Sequence, residues 1–177
     1  MKSSHIAFPT IKRILTFIGF LHCLCAKGVL PNEKLEKVYQ SIVRIEVISE
    51  RGSGGRMMKS RSTGSGVIVS PDGLVVTNHH VAGKATRLNC RLYNGEEIMA
   101  DLLGADAMTD LAVLKLRFKG KKNGSQKLSV AKFGNSDNVK VGDLCYAMGS
   151  PAGLSQSITQ GILSNLATLS PLQLSFH

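Results

Sequence analysis

The sequence predicts an all-β fold, either a closed antiparallel barrel or a sandwich. Three observations support this: short runs of β-branched and other apolar residues, tight-turn residues between them, and no helix-length amphipathic stretch separating the runs. A composition of 43% hydrophobic and 19% charged residues over 177 residues is that of a soluble globular chain with room for one ordinary core.

Residues 1–26 read as a secretory leader. Lys2, Lys12 and Arg13 form a basic start, and Ile14 to Ala26 is an apolar run too short to span a bilayer comfortably. Cleavage is expected after Cys25 or Ala26, with retention as an N-terminal anchor as the alternative. Leu21-His22-Cys23 lacks the small residues that precede a lipidated cysteine.

A polar lead-in at 27–39 carries helical character from Asn32 to Tyr39. From Gln40, the residues Ile42, Val43, Ile45, Val47 and Ile48 make a first strand, because β-branched side chains suit a pleated, half-buried surface. The Gly/Ser/Arg stretch 49–65 reads as a solvated loop. Gly66–Ser70 and Leu74–Thr77 then flank Pro71-Asp72-Gly73, where proline presets φ and glycine accepts a positive one. Arg87–Tyr93 and Glu96–Leu103 flank Asn94-Gly95, the strongest short hairpin signal, and Leu111–Arg117 adds a further run. These runs assign a barrel to 40–118. A basic linker follows at 119–127. Leu128–Phe133, Asp143–Met148 and Ser157–Leu163 look like the opening strands of a second, similar unit at 128–165, and 166–177 reads as a divergent tail.

Lysine and arginine outnumber aspartate and glutamate by 22 to 12, a net charge of +10. The excess gathers at Arg51, Arg56, Lys59 and Arg61, and again at Arg117, Lys119, Lys121, Lys122 and Lys127. No aromatic residues interleave with these charges to stack bases, so they read as solvated loops and no nucleic-acid partner is expected. Of four cysteines, Cys23 and Cys25 fall in the leader. Cys90 alternates with Leu88 and Leu92 on one strand face and reads as a buried free thiol, although a disulfide to Cys145 in an oxidising compartment stays open. The cysteines and histidines have no compact ligand spacing, so neither a metal nor a cofactor is expected.

The residues able to carry chemistry are few. His5 and His22 lie in the leader and His177 is the last residue, which leaves His79 and His80 in Thr77-Asn78-His79-His80-Val81. A histidine base needs a carboxylate that holds one tautomer and stabilises the imidazolium. Asp110, in Thr109-Asp110-Leu111-Ala112-Val113-Leu114-Lys115, is the candidate, and Asp106 is the nearest rival, although Gly104-Ala105-Asp106 reads as a turn. Both elements end at loops between strands, where a rigid barrel presents reactive groups.

With Gly64-Ser65-Gly66-Val67-Ile68-Val69-Ser70-Pro71-Asp72-Gly73, these two segments resemble the amino-terminal half of HtrA/Deg-type trypsin-like serine proteases. Gly134-Asn135-Ser136-Asp137, Val141-Gly142-Asp143 and Gly149-Ser150-Pro151-Ala152-Gly153-Leu154 continue the resemblance in the same order, which runs from about residue 38 to about residue 165. It implies a chymotrypsin-like fold of two antiparallel barrels, here with the first complete and the second partial. It also implies His80 as base, leaving His79 at a variable position, and Asp110 as its orienter. The family's nucleophile lies in a Gly-Asn-Ser-Gly-Gly segment that this sequence does not contain. Ser136 shares three letters with that segment but continues into Asp137, and it reads as a turn residue, as do Ser65 and Ser150.

The resemblance therefore implies an exported serine endopeptidase, periplasmic or extracellular, and no cofactor. Its partners would be unfolded or misfolded polypeptides, with room for a homo-oligomer and no stable membrane span after leader removal. A chain truncated before its serine would be inactive alone. The alternatives are a non-catalytic protein that binds polypeptides or another subunit, and complementation by a separately encoded half that supplies the serine.

Overall fold

The computed structural model describes residues 22–26, 31–53, 56–118, 128–149 and 157–166. In chain order these form β1 (His22–Ala26), α1 (Asn32–Tyr39), β2 (Ile42–Ser53), β3 (Arg56–Ile68), β4 (Leu74–Asn78), α2 (His79–Ala82), β5 (Arg87–Arg91), β6 (Glu97–Asp106), β7 (Leu111–Leu116), a 3-10 turn (Ser136–Asn138), β8 (Leu144–Gly149) and β9 (Ser157–Ile162).

Strands β2 to β7 close into an antiparallel barrel in the order β2-β3-β4-β7-β6-β5, with β5 pairing back onto β2. The fold is all-β, and of the two architectures left open by the strand pattern it is the barrel. Period-2 burial explains the closure. Along β7, Ala112, Leu114 and Leu116 are buried while Leu111, Val113 and Lys115 are only partly so, and β5 buries Leu88 and Cys90 in the same alternation. Val43, Ile45, Ile68 and Val75 fill the centre with them. Each such side chain withdrawn from water contributes roughly 1.5–3 kcal/mol. Cys90 is a fully buried free thiol, and burial pushes its pKa up to about 12.

The turns follow the sequence chemistry. Gly73 (φ +86°) and Gly95 (φ +84°) close the two expected hairpins, and the Ser70 hydroxyl accepts the Leu74 N–H at 2.9 Å.

The structure corrects two expectations. Within the stretch 49–65, residues 49–53 and 56–65 belong to strands, because β2 and β3 pair continuously from Ile42↔Val67 to Ser53↔Arg56. Main-chain pairing needs no apolar side chains, so serine, arginine and lysine prolong the hairpin past the barrel wall into a two-stranded ribbon. Leu128–Phe133 is not a strand; among its residues only Phe133 forms an isolated bridge. Leu128 and Val130 instead pack on the barrel core, and the Ala131 N–H donates to the Ile68 carbonyl at 2.8 Å. That packing gives Leu128 and Val130 an apolar neighbour without a partner strand.

A second sheet runs β1-β8-β9, with β8 central. His22–Ala26, which falls within the stretch read as a leader, pairs antiparallel with Leu144–Met148. A smaller apolar cluster of Val38, Ile42, Tyr146 and Met148 ties α1 and the start of β2 to β8. The rest of the leader, the basic linker, Ser150 and all of the tail except Leu166 lie outside the described residues.

Candidate functional site

The site forms where β4 and β7 lie side by side. Their register sets Asn78 against Leu111, so the residue after β4 and the residue before β7 come together. The chain turns at Asn78 into α2, a single helical turn closed by the Gly83 N–H donating to the His79 carbonyl at 2.7 Å. Val81 anchors this turn against β3; a β-carbon built at Gly64 would lie 2.5 Å from a Val81 methyl, so only glycine admits so close an approach. Thr77 is buried, and its hydroxyl donates to the Ser65 carbonyl at 2.8 Å, fixing the end of β4 to β3.

Asp110 stands at φ +55°, the described non-glycine residue in the left-handed region. Aspartate is among the residues that tolerate this conformation. Its backbone carbonyl accepts the His79 N–H at 3.0 Å and the Asn78 amide at 3.2 Å. Its carboxylate accepts the His80 N–H on Oδ1 at 2.9 Å and faces His80 Nδ1 through Oδ2 at 2.7 Å. A carboxylate only accepts, so Nδ1 carries the proton, and in the neutral ring the lone pair is left on Nε2. The pair is half exposed, with the His80 side chain at 44% and Asp110 at 36%. The arrangement can take a proton at Nε2 and hold the imidazolium beside a negative group.

Of the residues singled out by sequence, His80 and Asp110 are brought together. His79 goes elsewhere: its ring lies on the Gly83 backbone, where an added β-carbon would sit 2.3 Å from Cδ2. Asp106 forms the turn before Asp110, accepting the Met108 N–H at 2.9 Å and the Thr109 hydroxyl at 2.8 Å. The Thr109 hydroxyl above all, then the Met108 N–H, hold the Asp106 carboxyl below the usual carboxylate range, with His79 the weakest contributor. Ser136 opens the 3-10 turn, where the Asp137 N–H donates to the Asn135 side chain at 3.0 Å, a geometry that explains it as a turn residue. Ser65 is buried, and its carbonyl serves Thr77. Among the described residues, no group of three or more histidine, cysteine, aspartate or glutamate side chains could hold a metal ion.

Sequence reasoning missed Asn78. Its amide reaches both the carbonyl and, at 3.3 Å, Oδ2 of Asp110, thereby bridging β4 to the residue ahead of β7. The available signal was its place directly before the histidine pair.

Comparison with known proteins places this geometry among peptidases. The family model for the trypsin-like peptidase domain matches residues 64–174. A probable periplasmic serine endoprotease DegP-like from Pseudomonas savastanoi pv. phaseolicola is 44% identical over 113 residues, covering 64% of this chain and 22% of that protein. A protein of the same description from Pseudomonas putida strain GB-1 is 41% identical over 161 residues, covering 89% of this chain and 32% of its own length. Among solved structures, an HtrA-type protease, an AlgW variant with a decapeptide, superposes with a TM-score of 0.67 at 29% identity, covering 77% of this chain and 45% of that one. A second AlgW structure, with a tripeptide, gives a TM-score of 0.62 at 34% identity over 74% and 38% of the two chains. The chain thus spans between a fifth and a third of the length of these curated relatives.

Proposed function

We propose, from the premise that this chain belongs to the trypsin-like peptidase family, that it carries the base and orienting acid of an exported, periplasmic serine endopeptidase of HtrA/Deg type. In this reading His80 removes the proton from a serine hydroxyl through Nε2 and returns it to the leaving amine. Asp110 holds the ring in the Nδ1–H tautomer and stabilises the imidazolium. The observation that carries the reading is the 2.7 Å contact between His80 Nδ1 and Asp110 Oδ2 at paired strand ends. The substrates are polypeptides, unfolded or misfolded chains first among them, which is consistent with relatives described as periplasmic endoproteases. The periplasmic assignment agrees with the leader-like 1–26, which would route the chain through the export machinery.

The nucleophile segment that the family resemblance implies is not among these 177 residues. The 177-residue polypeptide by itself is therefore expected to hydrolyse nothing, since no acyl-enzyme can form without the serine. Fluorescein-labelled casein incubated with the purified chain should show no release above blank. Adding a separately produced serine-bearing carboxy-terminal portion of a relative should restore release, and His80→Ala should abolish it. Robust cleavage by the chain alone that disappears in His80→Ala would sink the assignment of the missing nucleophile. Restored cleavage that survives His80→Ala would sink the assignment of the base.

A further inference from the structure

Three residues separate Asp106, at the end of β6, from Asp110, just ahead of β7, and both ends of this span are pinned. At the first end, Asp106 pairs with Leu111 across the β6–β7 ladder, while its Oδ1 accepts the Met108 N–H and its Oδ2 accepts the Thr109 hydroxyl. At the second end, Asp110 adopts φ +55° and its carboxylate meets both the N–H and the ring Nδ1 of His80. Aspartate tolerates the left-handed region, but to stay in that one conformation it has to be held by its surroundings. The Asn78 amide holds Asp110 from the β4 side. On its own side of the hairpin, the bonds at hand are those that Asp106 accepts from the two residues immediately before Asp110. A short acidic side chain that captures the N–H two residues on and the hydroxyl three residues on fixes the path of the turn, and with it the direction in which residue 110 leaves.

We propose that Asp106 is a positioning residue for the Asp110 carboxylate: by accepting from Met108 and Thr109 it locks the turn that keeps Asp110 left-handed and aims Oδ2 at His80 Nδ1. This rests on the His80–Asp110 pair being the working pair of the proposed function. Asp106 does not touch the reacting atoms. Its influence passes through the backbone of residues 108–110, so the sequence Asp106-Ala107-Met108-Thr109-Asp110 acts as one unit.

The test reads the His80 imidazole N–H by proton–nitrogen NMR on the full 177-residue chain, where activity is not needed. In the native chain that proton should resonate at low field and exchange slowly with water, and Asp110→Ala should remove it, which assigns the signal. Asp106→Ala should erase the signal or speed its exchange by up to about tenfold, the range expected for one lost intramolecular hydrogen bond, while the backbone amides of β4 and β7 keep their shifts. Asp106→Asn, which retains an acceptor for the Met108 N–H, should rescue most of it, and Thr109→Val should fall between. If Asp106→Ala does not fold, Thr109→Val carries the test, and unchanged exchange there overturns the proposal. A folded Asp106→Ala with the signal and its exchange intact overturns this inference alone, whereas a native chain without the signal overturns the His80–Asp110 pair itself.

Discussion

Asp72 shows how a single surface carboxylate enters the pH behaviour of this fold. It sits in the β3–β4 turn, and the Lys115 ammonium on β7 is hydrogen-bonded to it. That bond first, and the Ser70 hydroxyl second, hold its pKa at about 2. The folded value lies below the unfolded value of about 3.9, so the stabilisation is complete above pH ~4 and is lost as pH falls from there through about 2. Asp101, paired with Arg117, and Asp106 are depressed in the same direction. Melting temperatures measured from pH 6 to pH 2 should therefore fall in the lower half of that range, and Lys115→Met should make the fall shallower. An unaltered slope in Lys115→Met would show that the pair does not contribute. Because the Asp72 side chain is exposed, the difference should also shrink in high salt.

At the scale of elements, the strands and turns of the barrel were legible wherever burial and turn chemistry agree. Leu88 and Cys90 alternate inward on β5, and Asn94-Gly95 makes the hairpin that the pair announces. The β2–β3 ribbon was not legible, because its pairing is main-chain pairing between solvated polar residues that leaves no hydrophobic period to read. Leu128–Val130 misled for the opposite reason: the apolar side chains of Leu128 and Val130 pack against the barrel core without joining a sheet. In the site, the partners of Asp110 come from the backbone of His79 and His80 and from Asn78, contacts that residue types alone do not reveal. The ribbon also has a dynamic signature. Pairing of β2 with β5 ends at Ile48↔Arg87, and the Glu50 N–H still reaches the Thr86 hydroxyl at 3.1 Å, so beyond Glu50 the ribbon rests on the pairing of Arg51–Ser53 with Arg56–Met58, with Met57 and Met58 exposed. Hydrogen exchange should show amides of 51–53 and 56–58 opening far more readily than those of Val43, Ile45 and Val47, which lie inside the closed barrel. Equal protection along the whole of β2 would contradict this.

For the whole molecule, closure makes the barrel a single packed body, since each of its six strands has a neighbour on both sides and a share of one core. Leu114 is completely buried at the middle of β7, between β4 and β6. Leu114→Ala should lower stability by about 2–5 kcal/mol, the range for an aliphatic truncation that leaves a partly collapsed cavity. Urea unfolding followed by tyrosine fluorescence and by far-ultraviolet circular dichroism should show one shifted midpoint for the barrel signal. A cost below about 1 kcal/mol would mean that the barrel is less tightly packed than its burial indicates. The second sheet depends on a smaller cluster around Tyr146 and Met148, so its contribution to the whole is carried by α1 and the first residues of β2.

The backbone of Asp110 also bears on how such a chain can change over generations. Few residues other than glycine enter the left-handed region readily, and asparagine is one of them. Asparagine also keeps an oxygen able to receive the His80 N–H. Yet an amide placed against Nδ1 can present a donor where the ring needs an acceptor, so the proton moves to the wrong nitrogen. Aspartate and asparagine codons differ by one base. A lineage can therefore silence this pair in a single mutational step while its barrel goes on folding as before.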